Sequence, residues 1–426
     1  MKKLILAFAA GALILAAVAI ADPRPGHLPR LLLVPKRHSE LGVIYRRDAV
    51  YLVRVDPRTL KPPAAGLRLP RCGSAAAFAP GGSRLALGGA DGRVCLVGTK
   101  SLRLRRVIET GADGDVMALQ WSGSHLLALV QHEDDSLVAV DAGSRQVIAR
   151  RALVGSLQQT AKTPAGLLLL YGPAKEIGPS RLFRFGPDGS LLQIATLDRI
   201  PSGFQFLGGE EGPTSHARPA LAVDRSGNRA FVVGAGTPVA EIDLTTSLVT
   251  YHDLATPVSL LGKVHGWLEP AAQAKVLPEG PNREATWLGN GMLAVWGWND
   301  RASINGDQHR FWAEPAGLKL VDTRDWSVRV LDSGATAMTV ANGNLLAYSW
   351  LWDSTRKNPS GSGVTAYGPA GNQRFHLFGS RAFFSVQALG NRAFIRGTRS
   401  RYSVVDLNSG QVIRSIAGEP PELLLP

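Results

Sequence analysis

Four of the nine tryptophans fall in two short runs of one form, VWGWND (295–300) and YSWLWD (348–353), each a Trp-x-Trp followed by an acid within two residues. Along a strand, residues two apart share a side, so Trp296 and Trp298 point together, as do Trp350 and Trp352. An indole offers a flat apolar face and one N–H donor, a combination suited to sugar rings, peptides or cations. Asn305, Asp307, His309, Arg310, Phe311 and Trp312 follow the first run closely. Trp296 and Trp350 read as core filler. Trp298, Trp312 and Trp352, together with Asp300, Asp307, His309, Arg310 and Asp353, form the candidate ligand-binding set.

Proton transfer needs a positioned carboxyl or imidazole, and Asp300, His309, His265 and Asp353 are the groups that an enzyme using this region would draw on. Metal binding wants three or four ligands at fixed geometry, and no repeated ligand spacing occurs here, so no metal site is expected. His132-Glu133-Asp134-Asp135, Glu210-Glu211 and His216 read as solvated turn residues. The chain lacks a Gly-x-Ser-x-Gly elbow, a Gly-rich loop followed by Lys-Ser/Thr, a His-Glu-x-x-His and a Cys-x-x-Cys. Nothing in it calls for a cofactor.

What must position these residues is a repeat. Eight segments share a β-rich run ending in Asp or Gly, a polar turn, and a second β-rich run; the marker residues are Asp56, Gly98, Asp141, Gly186, Asp243, Asp322, Gly368 and Asp406. Their spacing is 38 to 57 residues, with one interval of 79. The half-repeats that precede them, such as SAAAFAPGGSRLALGG, give strand, tight turn, strand. A period near 40 to 50 with about four strands per unit is that of a propeller blade. The fold class is therefore all-β: a single β-propeller of four-stranded antiparallel blades over 30–426, with eight blades, or seven as the alternative. In the eight-blade reading, 30–48 supplies strands a and b of the first blade. In the seven-blade reading the chain ends share a blade, and 422–425 is the closing strand. Near-continuous apolar runs such as 167–171 and 230–233 fit strands covered on both faces.

Connectivity then assigns the insertions. Successive strands a, b, c and d are antiparallel, so a-b and c-d turns lie at one end of the ring and b-c and d-a connections at the other. The long segments, 172–180, 199–217, 255–281, 300–316 and 353–361, are all of the second kind, and a short helix is allowed for around 269–276. Long excursions in compact domains are often functional. The b-c/d-a end at blades five to seven is thus the expected binding face.

Composition sets the remaining bounds. With 45% apolar residues in 426, the chain is no disordered polymer, and 47 Gly with 27 Pro suit short strands and many turns. The net charge of +13 comes from cations spread along the chain without a run, so no nucleic-acid partner is expected. Residues 1–21 hold two lysines and an uncharged apolar run ending Ala-Ile-Ala, the form of a secretory leader. The competing reading is an uncleaved anchor, since the run just reaches bilayer-spanning length. A linker follows at 22–29. The expected location is secreted or periplasmic. Two cysteines, Cys72 and Cys95, are left as a disulfide or as two buried thiols, the thiols being preferred because a strand lies between the two positions.

The stretches LVAVDAGSRQVIAR (137–150) and YSVVDLNSGQVIRS (402–415) resemble the repeats of bacterial secreted β-propellers of the YVTN and PQQ-like type, with a general likeness to WD repeats. In quinoprotein dehydrogenases of that group a Trp docking motif ends each blade, whereas here Trp326 is the only Trp in a c-d turn. The Trp-Asp dipeptide of WD repeats occurs at Trp352-Asp353, in the wrong strand position. The resemblance thus implies the ring without the quinone. These observations point to a monomeric binding module for a protein, peptide or glycan of the cell envelope, the alternative being an extracellular hydrolase or lyase on the same face.

Overall fold

A computed structural model describes residues 30–33, 39–46, 49–206, 214–254, 279–305, 308–397, 401–418 and 420–425. Eight antiparallel sheets follow one another around the ring, each a blade of four strands, with a fifth strand added to blades four and six, and no helix occurs among the described residues. Alternation explains why a blade needs two neighbours. In strand b of blade four (Gly166–Gly172), Leu168 and Leu170 pack toward Leu221, Ala230 and Val232 of blade five, while Leu167, Leu169 and Tyr171 pack toward Leu127, Leu129 and Ala139 of blade three. All five of these blade-four side chains are fully buried. At about 25 cal/mol per Å² of apolar surface removed from water, such shared walls hold the ring together as one cooperative unit.

The repeated Asp has a definite task. In the c-d turns its carboxylate Oδ1 accepts the backbone N–H groups two and three residues on, as at Asp141 (2.7 and 2.9 Å), Asp243 (2.8 and 3.0 Å) and Asp406 (both 2.9 Å). The N–H of the fourth residue closes onto the Asp carbonyl, and that fourth residue is left-handed: Leu60, Arg145, Ser247, Trp326 and Gly410 have φ between 55° and 72°. The turn thus combines an Asx cap with one strained position. The hydrogen bond from Thr245 Oγ1, followed by those from the two N–H groups, holds the Asp243 carboxyl down at about 2.

Ring closure joins the two readings: the blade count is that of the first, and the closing strand at 422–425 is that of the alternative. There are eight blades, yet the innermost strand of the first is Leu423–Leu424, paired antiparallel with Leu41–Arg46 through Gly42 and Val43. The two chain ends therefore share blade one, and the strand edge that either terminus alone would leave bare is covered. Residues 30–33 do not form a strand of blade one. Leu31 and Leu33 are buried among Leu288, Met292 and Leu345 of blades six and seven, with Leu31 N–H donating to Pro369 O. Leu32 reaches into the a-b end of the central cavity, about 770 Å³, which the inner strands of blades four to seven line.

The cysteines also differ from the preferred reading: Cys72 and Cys95 form a disulfide, with Cα atoms 6.1 Å apart. The strand between them is bypassed because the ladder slips between Cys72 and Ala75, and because the residue facing Cys72 is Gly89. A Cβ on Gly89 would lie only 3.0 Å from Cys72 Cα, so the missing side chain lets the end of strand a fold across strand b toward Cys95 on strand c.

The excursions at the b-c/d-a end are largely β structure. Strand d of blade four runs on as Leu191–Phe206 and pairs with Thr214–Ala217. Strand b of blade six (Met292–Asn305) turns back as Gln308–Pro315. The segment expected as a long loop at 172–180 is a four-residue connection between Gly172 and Ile177. At the opposite end, turns are short except for 55–66, the c-d connection of blade one, which packs Leu60 against Phe394 and Tyr402 of blade eight. Most of the 255–281 insertion, with His265 and the 269–276 segment, lies outside the described residues, as does Asp307; only the backbone of His309 is described.

Candidate recognition face

Two extended hairpins and one loop assemble the face. The bridge between Arg218 and Asn282 stitches the blade-four hairpin to the start of strand a of blade six (Glu279–Gly289), through Arg218 N–H to Pro281 O and Arg283 N–H to Arg218 O. Strand b of blade six pairs with that strand on one side and with its own return strand on the other. The return strand then meets the b-c loop of blade seven: Trp312 bridges to Asp353, Ala313 N–H donates to Trp352 O, and Ser354 N–H to Phe311 O. A β ridge therefore extends from blade four to blade seven.

Asp353 holds this junction. Its Oδ2 accepts Arg310 Nη2 at 2.7 Å and its Oδ1 accepts Arg310 Nε at 3.3 Å and both Thr355 N–H and Oγ1, while Arg356 Nε stands 3.4 Å from Oδ2. Arg310 first, then Thr355, drives the carboxyl far below the usual carboxylate range. A carboxylate so fully engaged is a poor proton donor or acceptor; its bonds organise the loop. Arg310 also lies over the Trp312 ring, 5.0 Å from its centroid, and Trp312 Nε1 donates to Glu314. Of the expected tryptophans, Trp352 is 43% exposed, Trp312 and Trp298 half-buried. Strand b of blade seven ends at Tyr348, so Trp350 and Trp352 lie past it in the loop, unlike Trp296 and Trp298 within their strand.

Asp300 has partners that sequence reasoning passed over. Its Oδ2 accepts Asn282 Nδ2 at 2.9 Å and Trp298 Nε1 at 3.3 Å, and His216 Nε2 stands 3.4 Å away; Asn282 Nδ2 is also 3.0 Å from His216 Nε2. The imidazole lies on Gly280, where a Cβ would come within 2.1 Å of its ring. His216 and Asp300 come together only because the blade-four hairpin reaches blade six. A second aromatic group missed in sequence adjoins Trp350: Phe384, 40% exposed, meets it edge-on at 5.1 Å and carries Arg396 above its ring at 4.6 Å. No three acidic, His or Cys side chains among the described residues could hold a metal ion.

No protein-family model matches the sequence, and no curated protein does. Among solved structures, the dihydro-heme d1 dehydrogenase NirN in complex with DHE aligns over 97% of this chain and 85% of its own with a TM-score of 0.53 at 13% identity. BamB from Moraxella catarrhalis aligns over 85% of this chain and 97% of its own with a TM-score of 0.46 at 12% identity. The computationally designed Ika8 protein aligns over 93% of both chains with a TM-score of 0.47 at 13% identity. At such identity the NirN likeness speaks to the β-propeller fold alone.

Proposed function

We propose that this chain is an extracytoplasmic recognition module that binds a protein, peptide or glycan of the cell envelope with the b-c/d-a end of blades six and seven. The observation carrying this reading is the ridge itself, where Trp352 and Phe311, 43% and 36% exposed, stand on a hairpin and loop braced by the Arg310–Asp353 pair. Aromatic side chains held on rigid support contribute binding area at little entropic cost. The disulfide and the N-terminal apolar run support an oxidising compartment outside the cytoplasmic membrane. The likeness to YVTN-type secreted propellers agrees with that address. Titration of tryptophan emission with soluble cell-wall fragments, and with peptides from envelope proteins, tests the reading. The Trp352→Ala, Phe311→Ala double variant is expected to bind at least about tenfold more weakly while keeping its circular dichroism; unchanged affinity would refute it.

A second reading rests on His216 and Asp300, an imidazole and a carboxylate 3.4 Å apart on the same ridge. As general base and orienting acid they would serve a hydrolase or lyase. Hydrolysis of ester, glycoside or peptide probes that Asp300→Asn abolishes would favour catalysis over recognition.

A further inference from the structure

Between blades five and six, the b-c/d-a end opens into a cleft of about 450 Å³. One wall is the turn 234–238 of blade five; the floor is apolar, with Val233, Val295, Val321 and Val328. On the other wall, Lys319 and Arg283 of blade six face the same space. Alternation puts them there: Lys319 shares its side of strand c with Val321, and Arg283 its side of strand a with Ala285 and Trp287, the residues that pack toward blade five.

Among the described residues neither cation is paired with an acid, and Asp253, the carboxylate lining this cleft, is taken by Arg199. Arg283 donates to Asn282 O and Trp298 O at 2.8 and 3.0 Å and to Asn299 Oδ1 at 2.9 Å, all neutral acceptors. Neither forms an ion pair with a described carboxylate; the pair at the rim, Arg199 with Asp253 at 3.2 Å, is complete without them. Burial lowers the Arg283 guanidinium to about 10, and burial together with Arg283 lowers Lys319. Half-buried like charges on one wall destabilise a fold unless something negative joins them, and perturbed cations in a cleft are a mark of ligand sites.

We propose that this cleft binds the oxyanion group, carboxylate or phosphate, of a small ligand, with Lys319 and Arg283 as its charge partners and the valine floor taking the apolar part. A volume near 450 Å³ lies within the range of small-molecule sites. The proposal deepens the recognition face described above by naming a ligand chemistry for it, and it rests on that face being the binding end. Arg283 also braces the backbone of Trp298, so Lys319 is the group to change.

The test is thermal unfolding of the chain in inorganic phosphate, in acetate and in chloride at equal ionic strength. At a hundredfold excess over the dissociation constant, the recognised oxyanion raises the melting temperature by about 3 °C; phosphate alone or acetate alone doing so identifies the group. Lys319→Met is expected to abolish that response without lowering the melting temperature in chloride, and Lys319→Glu to raise it in chloride by pairing with Arg283. Trp352→Ala keeps the anion response, so loss of partner binding in that variant and loss of the anion site are separable. No rise with either anion, or the same rise in Lys319→Met, overturns the proposal.

Discussion

Removing the disulfide gives the most quantitative test of how blade two is built. The bridge closes a loop with a sequence separation of 23 residues, and constraint of the unfolded chain by a loop of that length contributes about 3 kcal/mol. With an unfolding entropy of about 2.1 cal/mol/K per residue, a ring of roughly 400 residues has about 0.8 kcal/mol/K, so the loss shifts melting by about 4 °C. Cys72→Ala with Cys95→Ala is the cleaner perturbation than a reductant, because both side chains are fully buried and slow to reduce. Calorimetry reads the shift, and mass spectrometry after alkylation under denaturing conditions counts thiols. The account expects no alkylation of the wild-type chain without reductant and a drop near 4 °C in the double variant. Two alkylated cysteines, or a drop under about 1 °C, would refute the crossing over Gly89 that brings the sulfurs together.

Other expectations follow from buried and turn residues. Tyr171, fully buried, donates its hydroxyl to Asp135 of the neighbouring blade, so Tyr171→Phe costs about 1 to 3 kcal/mol in chemical denaturation by leaving the carboxyl without that donor. Burial raises the Asp135 carboxyl above its ordinary value, so its ionisation weakens the fold as pH climbs from about 4 through that raised value; Asp135→Asn should stabilise at pH 7 relative to its effect at pH 3. Asp243 has the opposite sign: its contribution is present above about pH 4 and fades toward pH 2, and Asp243→Asn removes that part of the acid dependence in a melting series. Ser247→Gly relieves a φ of 62° and should add about 1 kcal/mol, measured by denaturant midpoint. Arg310→Ala unties the blade-six hairpin from the blade-seven loop, so amides of 349–363 should exchange faster while those of blade three stay unchanged.

What could be read beforehand follows the range of the interactions involved. The c-d turns were legible because Asp, its capped N–H groups and the left-handed residue lie within five positions, so each copy carries its own signal. The closing strand was legible at 422–425 only as part of the seven-blade alternative; its place in an eight-blade ring was not, because Leu423–Leu424 is two residues long and its partner at Gly42 and Val43 is nearly the whole chain away. The disulfide hinged on a register slip and on Gly89, neither of which alternation reveals. At the face, Arg310, Trp312 and Asp353 were singled out and lie together, since they end adjacent hairpins at the same end of neighbouring blades. His216 with Asp300, and Lys319 with Arg283, depend on side-chain direction across different blades or strands, where spacing in the chain carries no information. Segments expected as loops became paired strands because an excursion from an antiparallel blade keeps its backbone hydrogen bonds most simply by running on as a hairpin.

The central claim is that one end of the ring recognises and the other does not. Binding of purified chain to isolated cell envelopes, compared between variants of the two ends, tests it most directly: Trp352→Ala with Phe311→Ala on the ridge, against Asn342→Ala with Asn408→Ala, whose side chains meet at 3.1 Å in the opposite turns. The account predicts at least about a tenfold loss for the ridge pair and none for the turn pair. Equal losses, or a loss confined to the turn pair, would contradict it.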